Sequence, residues 1–287
     1  MQCVFHAKAN DFFAACEGAL LLQESENSLK LGLLDRILAG TLETESPIYA
    51  SVSDGGTFVG HALRTNLDTP LDLSAMPEDA VATLVNALHA RDLTFRSALG
   101  VTTVSACFAE RWTAAAGVRS ELSKRQGIYE LRGVIMPPMD DGVMVRATTA
   151  DRAEVEPFVE GFNRDIDDDT VAPAKAAREM TEQHLNAGTL YLWKSADGQL
   201  VSIAAKNRET RNGATISLVY TPPEHRRRGY AGRLVASLSQ HLLDGGKTLC
   251  NLYTDLSNPT SNGVYQRIGY TQIAESRIYE FDSGVET

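Results

Sequence analysis

Two stretches of this sequence share one plan. PIYASVSDGGTFVGHAL at 47–63 and TLYLWKSADGQLVSIAA at 189–205 each read apolar strand, Gly-Gly or Asp-Gly turn, apolar strand, which is the pattern of a β-hairpin. Two later stretches close alike. RSELSKRQGIYEL at 119–131 and YTQIAESRIYEF at 270–281 both finish on Ile-Tyr-Glu and an apolar residue. A chain duplicated in this way is expected to fold as two copies of one unit. Between the copies lies GVIMPPMDDG, where a Pro-Pro pair and an acidic-glycine turn interrupt regular structure. The expected division is therefore a domain at 1–132, a linker at 133–142 and a second domain at 143–287. The length of 287 residues agrees with two domains of about 100–200 residues each.

Charge narrows the partners. The formal net charge is -10, a field that disfavours nucleic acid and anionic membrane. Cys3, Cys16, Cys107 and Cys250 form no CxxC and no Cys/His cluster, so no metal site is expected and the thiols read as reduced. No apolar run reaches the ~18 residues of a membrane helix, and MQCVFHAKAND lacks the build of a signal peptide. These features predict a cytoplasmic protein, monomeric or homodimeric.

The second copy reads in detail. VMVRATT (143–149) predicts a strand. ADRAEVEPFVEGFN (150–163) predicts a helix with Val155, Phe158, Val159 and Phe162 at helical spacing, and PAKAAREMTEQHLNAG (173–188) a second one between Pro173 and Gly188. The hairpin and the strand TISLVY follow. A helix with Leu234, Val235, Leu238, Leu242 and Leu243 on one face comes next, then the strand TLCNLYT, a short helix at 259–269 and a last strand. The predicted order is β-α-α-β-β-β-α-β-α-β.

One junction carries chemistry. HRRRGYAG (225–232) lies between ISLVY and the amphipathic helix. The first turn of a helix leaves N–H groups unpaired and adds positive potential. Gly229 lets the backbone turn tightly, Ala231 keeps the helix start slim, and Arg226, Arg227 and Arg228 add charge. Such a turn suits a phosphate. It is not a nucleoside-triphosphate loop, since no Gly-Lys-Ser/Thr follows, nor a GxGxxG dinucleotide turn.

Arg226-x-x-Gly229-x-Ala231 between strand and helix resembles the acetyl-CoA pyrophosphate loop of the GCN5-related N-acetyltransferase (GNAT) superfamily. LYTDLSNPTSNGVYQRIGY (252–270) is similar to that family's next strand, its Asn-containing loop and its tyrosine-bearing helix. The resemblance covers residues 143–284 and is architectural over the first half. It implies an α/β fold of two acyl-CoA N-acyltransferase-like domains, each a mixed, mostly antiparallel sheet flanked by helices. It implies acetyl-CoA as co-substrate, an amine acceptor, small molecule or peptide, and no metal. By position, the backbone of Leu218, Val219 and Tyr220 would line the pantetheine arm. The N–H groups of Arg227, Arg228, Gly229, Tyr230 and Ala231 would hold the pyrophosphate. Asn258 and Asn262 would bond the cofactor arm, and Tyr265 would be general acid to the CoA thiolate.

Two departures qualify this expectation. No acid stands among Ile216–Tyr220, Glu224 lies far into the loop, and Asp255 or a water chain remains open as the base. In the first copy the matching helix begins AMPEDAVA, and its Glu78 and Asp79 would repel a pyrophosphate. Trp112 stands there in the place of Tyr265 and has no acidic proton to give. The first copy is expected to be degenerate for acetyl-CoA, and the second active. The alternative reading is a sensor or scaffold that binds acetyl-CoA without turnover.

Overall fold

The same succession of period-2 and period-3.6 apolar patterns builds both copies. The computed structural model describes residues 1–139, 142–166 and 173–282. The first copy runs β1 (Gln2–Phe5), α1 (Ala9–Leu22), α2 (Ser28–Leu38), β2 (Ile48–Asp54), β3 (Thr57–Arg64), β4 (Leu71–Leu73), α3 (Glu78–His89), β5 (Ser97–Val101), α4 (Thr102–Ala116) and β6 (Arg119–Leu131). The second runs β7 (Val143–Arg146), α5 (Arg152–Ile166), α6 (Pro173–Ala187), β8 (Leu190–Lys194), β9 (Leu200–Glu209), β10 (Gly213–Tyr220), α7 (Tyr230–Asp244), β11 (Leu249–Asp255), α8 (Pro259–Arg267) and β12 (Thr271–Asp282). Both have the order β-α-α-β-β-β-α-β-α-β, the order expected for the second copy.

Pairing repeats as well. β1–β2–β3–β4 and β7–β8–β9–β10 are antiparallel, and each set ends in a parallel pair, β4–β5 and β10–β11. The sheets are mixed and mostly antiparallel, as expected. Helices cover both faces. Phe12, Cys16 and Leu20 of α1 with Leu31 and Leu34 of α2 pack on Tyr49 and Leu63. The opposite face buries Val81, Leu84, Val85 and Leu88 of α3 with Phe108 and Trp112 of α4. In the second copy Val155, Val159, Ala177 and Leu185 of α5 and α6 cover one face. Leu234, Val235, Leu238 and Leu242 of α7 cover the other, with Tyr265.

The chain forms two units, and neither is a continuous segment. One comprises Met1–Ile128, Thr254–Ser257 and the C-terminal stretch from Gln272; the other comprises Tyr129–Tyr253 and Asn258–Thr271. The last strand of the second copy thus belongs to the first unit. There β12 pairs antiparallel with β5, from Ser276 opposite Val101 to Glu280 opposite Ser97. The N–H of Phe281 donates to the carbonyl of Arg96 at 2.7 Å. No helix among the described residues is long and apolar enough to cross a membrane.

Candidate active site

The site is built where two strands part. β10 and β11 pair from Gly213 opposite Leu249 to Thr215 opposite Asn251 and share no pair beyond that. At the last pair the buried Thr215 hydroxyl donates to Asn251 Oδ1 at 2.7 Å. Past it β10 keeps β9 as neighbour, but the register shifts between Ser217 and Tyr220. Leu218 takes up the shift with φ +53, a β-bulge that bends the strand. The Leu218 side chain is buried on the α5–α6 face, while half-buried Val219 packs toward α7 and α8. The carbonyl of Tyr220 accepts from Ser202 Oγ at 3.0 Å. A Cβ at Gly161 of α5 would overlap the Tyr220 phenol, so the helix approaches closely because that position is glycine.

The turn follows directly. Residues 223–225 make one 3-10 turn, Arg227 adopts φ +62 and Gly229 φ +82, and α7 starts at Tyr230. The left-handed value at Gly229 is the reason for glycine there. No side chain caps this end of α7. The start of such a helix carries positive potential that suits an anionic ligand.

The three arginines differ in use. Arg226 donates from Nε to the carbonyl of Thr221 at 2.9 Å and pairs with Asp165 of α5 at 2.5 Å. Its guanidinium lies 5.7 Å from the centre of the Tyr220 ring. It fastens the turn to α5, an arrangement without a signal in the sequence because Asp165 is remote along the chain. Arg227 and Arg228 are exposed. Tyr230 is buried and Ala231 half-buried.

On the following elements, exposed Asn258 accepts from the N–H of Asn262, half-buried in α8, at 3.3 Å. Tyr265 is buried, with its ring edge-on to Tyr270 at 6.1 Å. Burial pushes its phenol up to about 12. Its hydroxyl has no hydrogen-bond partner among the described residues. Cys250 is fully buried, and burial raises its thiol to about 12, which makes it unreactive. Asp255 belongs to the first unit, where its carboxylate accepts from the N–H of Ser257 at 2.7 Å. It lines a cleft of about 650 Å³ with Leu122, Lys124, Arg125, Gln272 and Glu275. Among the described residues no group of three or more His, Cys, Asp or Glu is placed to hold a metal.

The corresponding places in the first copy are filled. Asp79 Oδ1 accepts from the N–H of Ala80 at 3.0 Å at the start of α3. Trp112 is buried against Phe95, 4.4 Å between ring centres.

Residues 196–279 match the family model of FR47-like proteins. No curated protein matches the sequence. Solved structures resemble the whole chain. An N-acetyltransferase related to GCN5 from Sphaerobacter thermophilus is 15% identical with a TM-score of 0.62, over 99% of this chain and 98% of its own. A GNAT-family acetyltransferase from Colwellia psychrerythraea is 13% identical with a TM-score of 0.58, over 98% and 99%. A tandem GNAT protein from the clavulanic acid biosynthesis pathway is 12% identical with a TM-score of 0.55, over 100% and 99%.

Proposed function

We infer that this chain, whose fold is similar to that of GCN5-related N-acetyltransferases and whose residues 196–279 match the FR47-like family model, is an acetyl-CoA-dependent N-acetyltransferase whose second copy holds the cofactor. The observation that carries this reading is the parting of β10 from β11 directly before an uncapped helix start with Gly229 at φ +82. Strand backbone without a neighbour suits an amide-bearing arm, as an added strand would. The helix start suits a pyrophosphate.

Acetyl-CoA supplies the acyl group as a thioester, open to direct attack by a neutral amine. The N–H groups from Arg227 to Ala231 bind the pyrophosphate, and Arg227 and Arg228 add charge. The edge of β10 at Leu218–Tyr220 holds the pantetheine arm and offers N–H groups to the developing oxyanion. Asn258 and Asn262 bond the same arm. Tyr265 holds a proton for the leaving thiolate. With its phenol near 12 and a thiol near ~8.5, complete transfer is uphill. Tyr265 therefore acts by donating a hydrogen bond that strengthens as sulfur gains charge. Ile216–Tyr220 carry no carboxylate, so the amine proton leaves through water or another group.

The test is mass spectrometry of products. Purified protein is incubated with acetyl-CoA and a panel of amino acids, polyamines, aminoglycosides, small thiols and peptides. We expect an N-acetylated product, with kcat about 100-fold lower in Tyr265→Phe and cofactor affinity unchanged. Full turnover in Tyr265→Phe would remove Tyr265 from the mechanism. A second reading, a sensor that binds acetyl-CoA without turnover, is favoured by the strongly raised Tyr265 phenol and the lack of an acid on β10. Cofactor binding with no product across the panel would select it.

A further inference from the structure

After β6 the chain runs without regular structure through Gly133–Met139. One side chain fastens that segment to the turn before α7. Arg233, one turn into α7, donates from Nε to the carbonyl of Pro138 at 2.8 Å, 95 residues earlier in the chain. From Nη1 it donates to the carbonyl of Arg228 at 2.8 Å. The guanidinium lies 5.9 Å from the centre of the Tyr230 ring. A planar fork with fixed donor directions thus joins two backbone carbonyls.

The Arg228 carbonyl is a sensitive place to hold. Its peptide lies between the two left-handed residues, Arg227 at φ +62 and Gly229 at φ +82. A non-glycine residue in that region is strained and needs its surroundings to fix it. The peptide is planar and trans, so its carbonyl and the N–H of Gly229 point in opposite directions. With the Arg228 carbonyl drawn to Arg233, the Gly229 N–H faces away from that side chain. Two of its nitrogens are spent on backbone carbonyls, so Arg233 is not simply another cation for the ligand.

We propose that Arg233 is a positioning residue for a pyrophosphate-bearing ligand: it fixes the phosphate turn by tying Arg228 to the segment after β6. This rests on reading the start of α7 as the pyrophosphate cradle. Lysine at 233 keeps the charge but lacks two fixed, divergent N–H groups.

The experiment has two arms. In the absence of ligand, exchange of the hydrogen-bonded amides of Arg226 and Ile135, in the two segments that Arg233 joins, is measured in wild type, Arg233→Ala and Arg233→Lys. We expect exchange about tenfold faster in both variants, while Leu234–Leu242 stay protected. In the second arm CoA, adenosine 5′-diphosphate and pantetheine are titrated calorimetrically. The Kd of CoA and of adenosine 5′-diphosphate should rise about tenfold in both variants, and that of pantetheine should not move. The loss should fall on acetyl-CoA KM, with kcat at saturation changed less than twofold. Wild-type exchange in Arg233→Ala overturns the proposal. Full recovery of affinity in Arg233→Lys overturns it in favour of a charge effect. Failure of wild type to bind CoA overturns the cofactor reading and with it the ligand role, while the exchange arm still reports whether Arg233 holds the turn.

Discussion

A histidine whose ring is buried without a hydrogen bond ties stability to pH, and His61 is such a residue. It is 1% exposed, and neither ring nitrogen has a partner among the described residues. Its ring meets Phe12 at 5.8 Å and Phe58 at 5.9 Å. The nearby charged groups are Lys30 of α2 and Asp72 of β4, themselves an ion pair at 2.5 Å. Burial, then the Lys30 charge, hold the imidazole well below its usual 6.5. It is neutral when folded and takes a proton when unfolded below 6.5. The unfolded state then binds more protons, so stability falls as pH falls through that value. Carboxylates whose values are lowered by their partners lose their contribution only below about 4.5, so the window from 6.5 to 4.5 belongs to histidine. Urea unfolding at pH 7 and pH 5 should show a smaller loss in His61→Phe than in wild type. His184, also lowered by burial, keeps part of the slope in the variant. Equal losses in the two proteins would mean that His61 is protonated in the fold.

Helix starts distinguish the two copies at the level of elements. α3 opens with Glu78 and Asp79, and Asp79 occupies its own first turn; α7 opens without acid or cap. Ala231→Asp would give α7 the character of α3. We expect CoA affinity to fall by at least about tenfold, while unfolding becomes harder by about 0.3–1 kcal/mol from the carboxylate at the dipole. Calorimetric titration and urea unfolding of the same sample separate the two effects. Unchanged affinity would show that no pyrophosphate sits there. This contrast was legible in the sequence because helix starts are local. So were the apolar faces of α3 and α7. Less was legible where partners are remote: Arg226 to Asp165 and Arg233 to Pro138 are set by tertiary placement. One local signal went unread. The strand expected at 143–149 stops at Arg146, because Thr148 and Asp151 form a capping box that opens a 3-10 turn into α5.

At the scale of the whole molecule, chain order and unit membership diverge. The matching ends of 119–131 and 270–281 marked two equivalent strands, β6 and β12. That β12 would pair with β5 was not readable, since the pattern of a strand does not name its neighbour. β12 completes the first unit beside β5, and Phe281 packs there against Phe95 at 5.7 Å and Phe108 at 6.3 Å. The first unit should therefore depend on the far end of the chain. A chain ending at Tyr270 would leave the edge of β5 unpaired and that aromatic cluster open. We expect amides of Ala98–Val101 to lose protection and the first unit to become sensitive to protease. A synthetic peptide of residues 270–282 added in trans should restore both. The milder Phe281→Ala, a half-buried ring removed from the cluster, should cost about 1–3 kcal/mol in unfolding of the first unit. If the truncated chain kept wild-type protection at β5, the first unit would be able to close its sheet without β12, and β12 would be incidental to its stability.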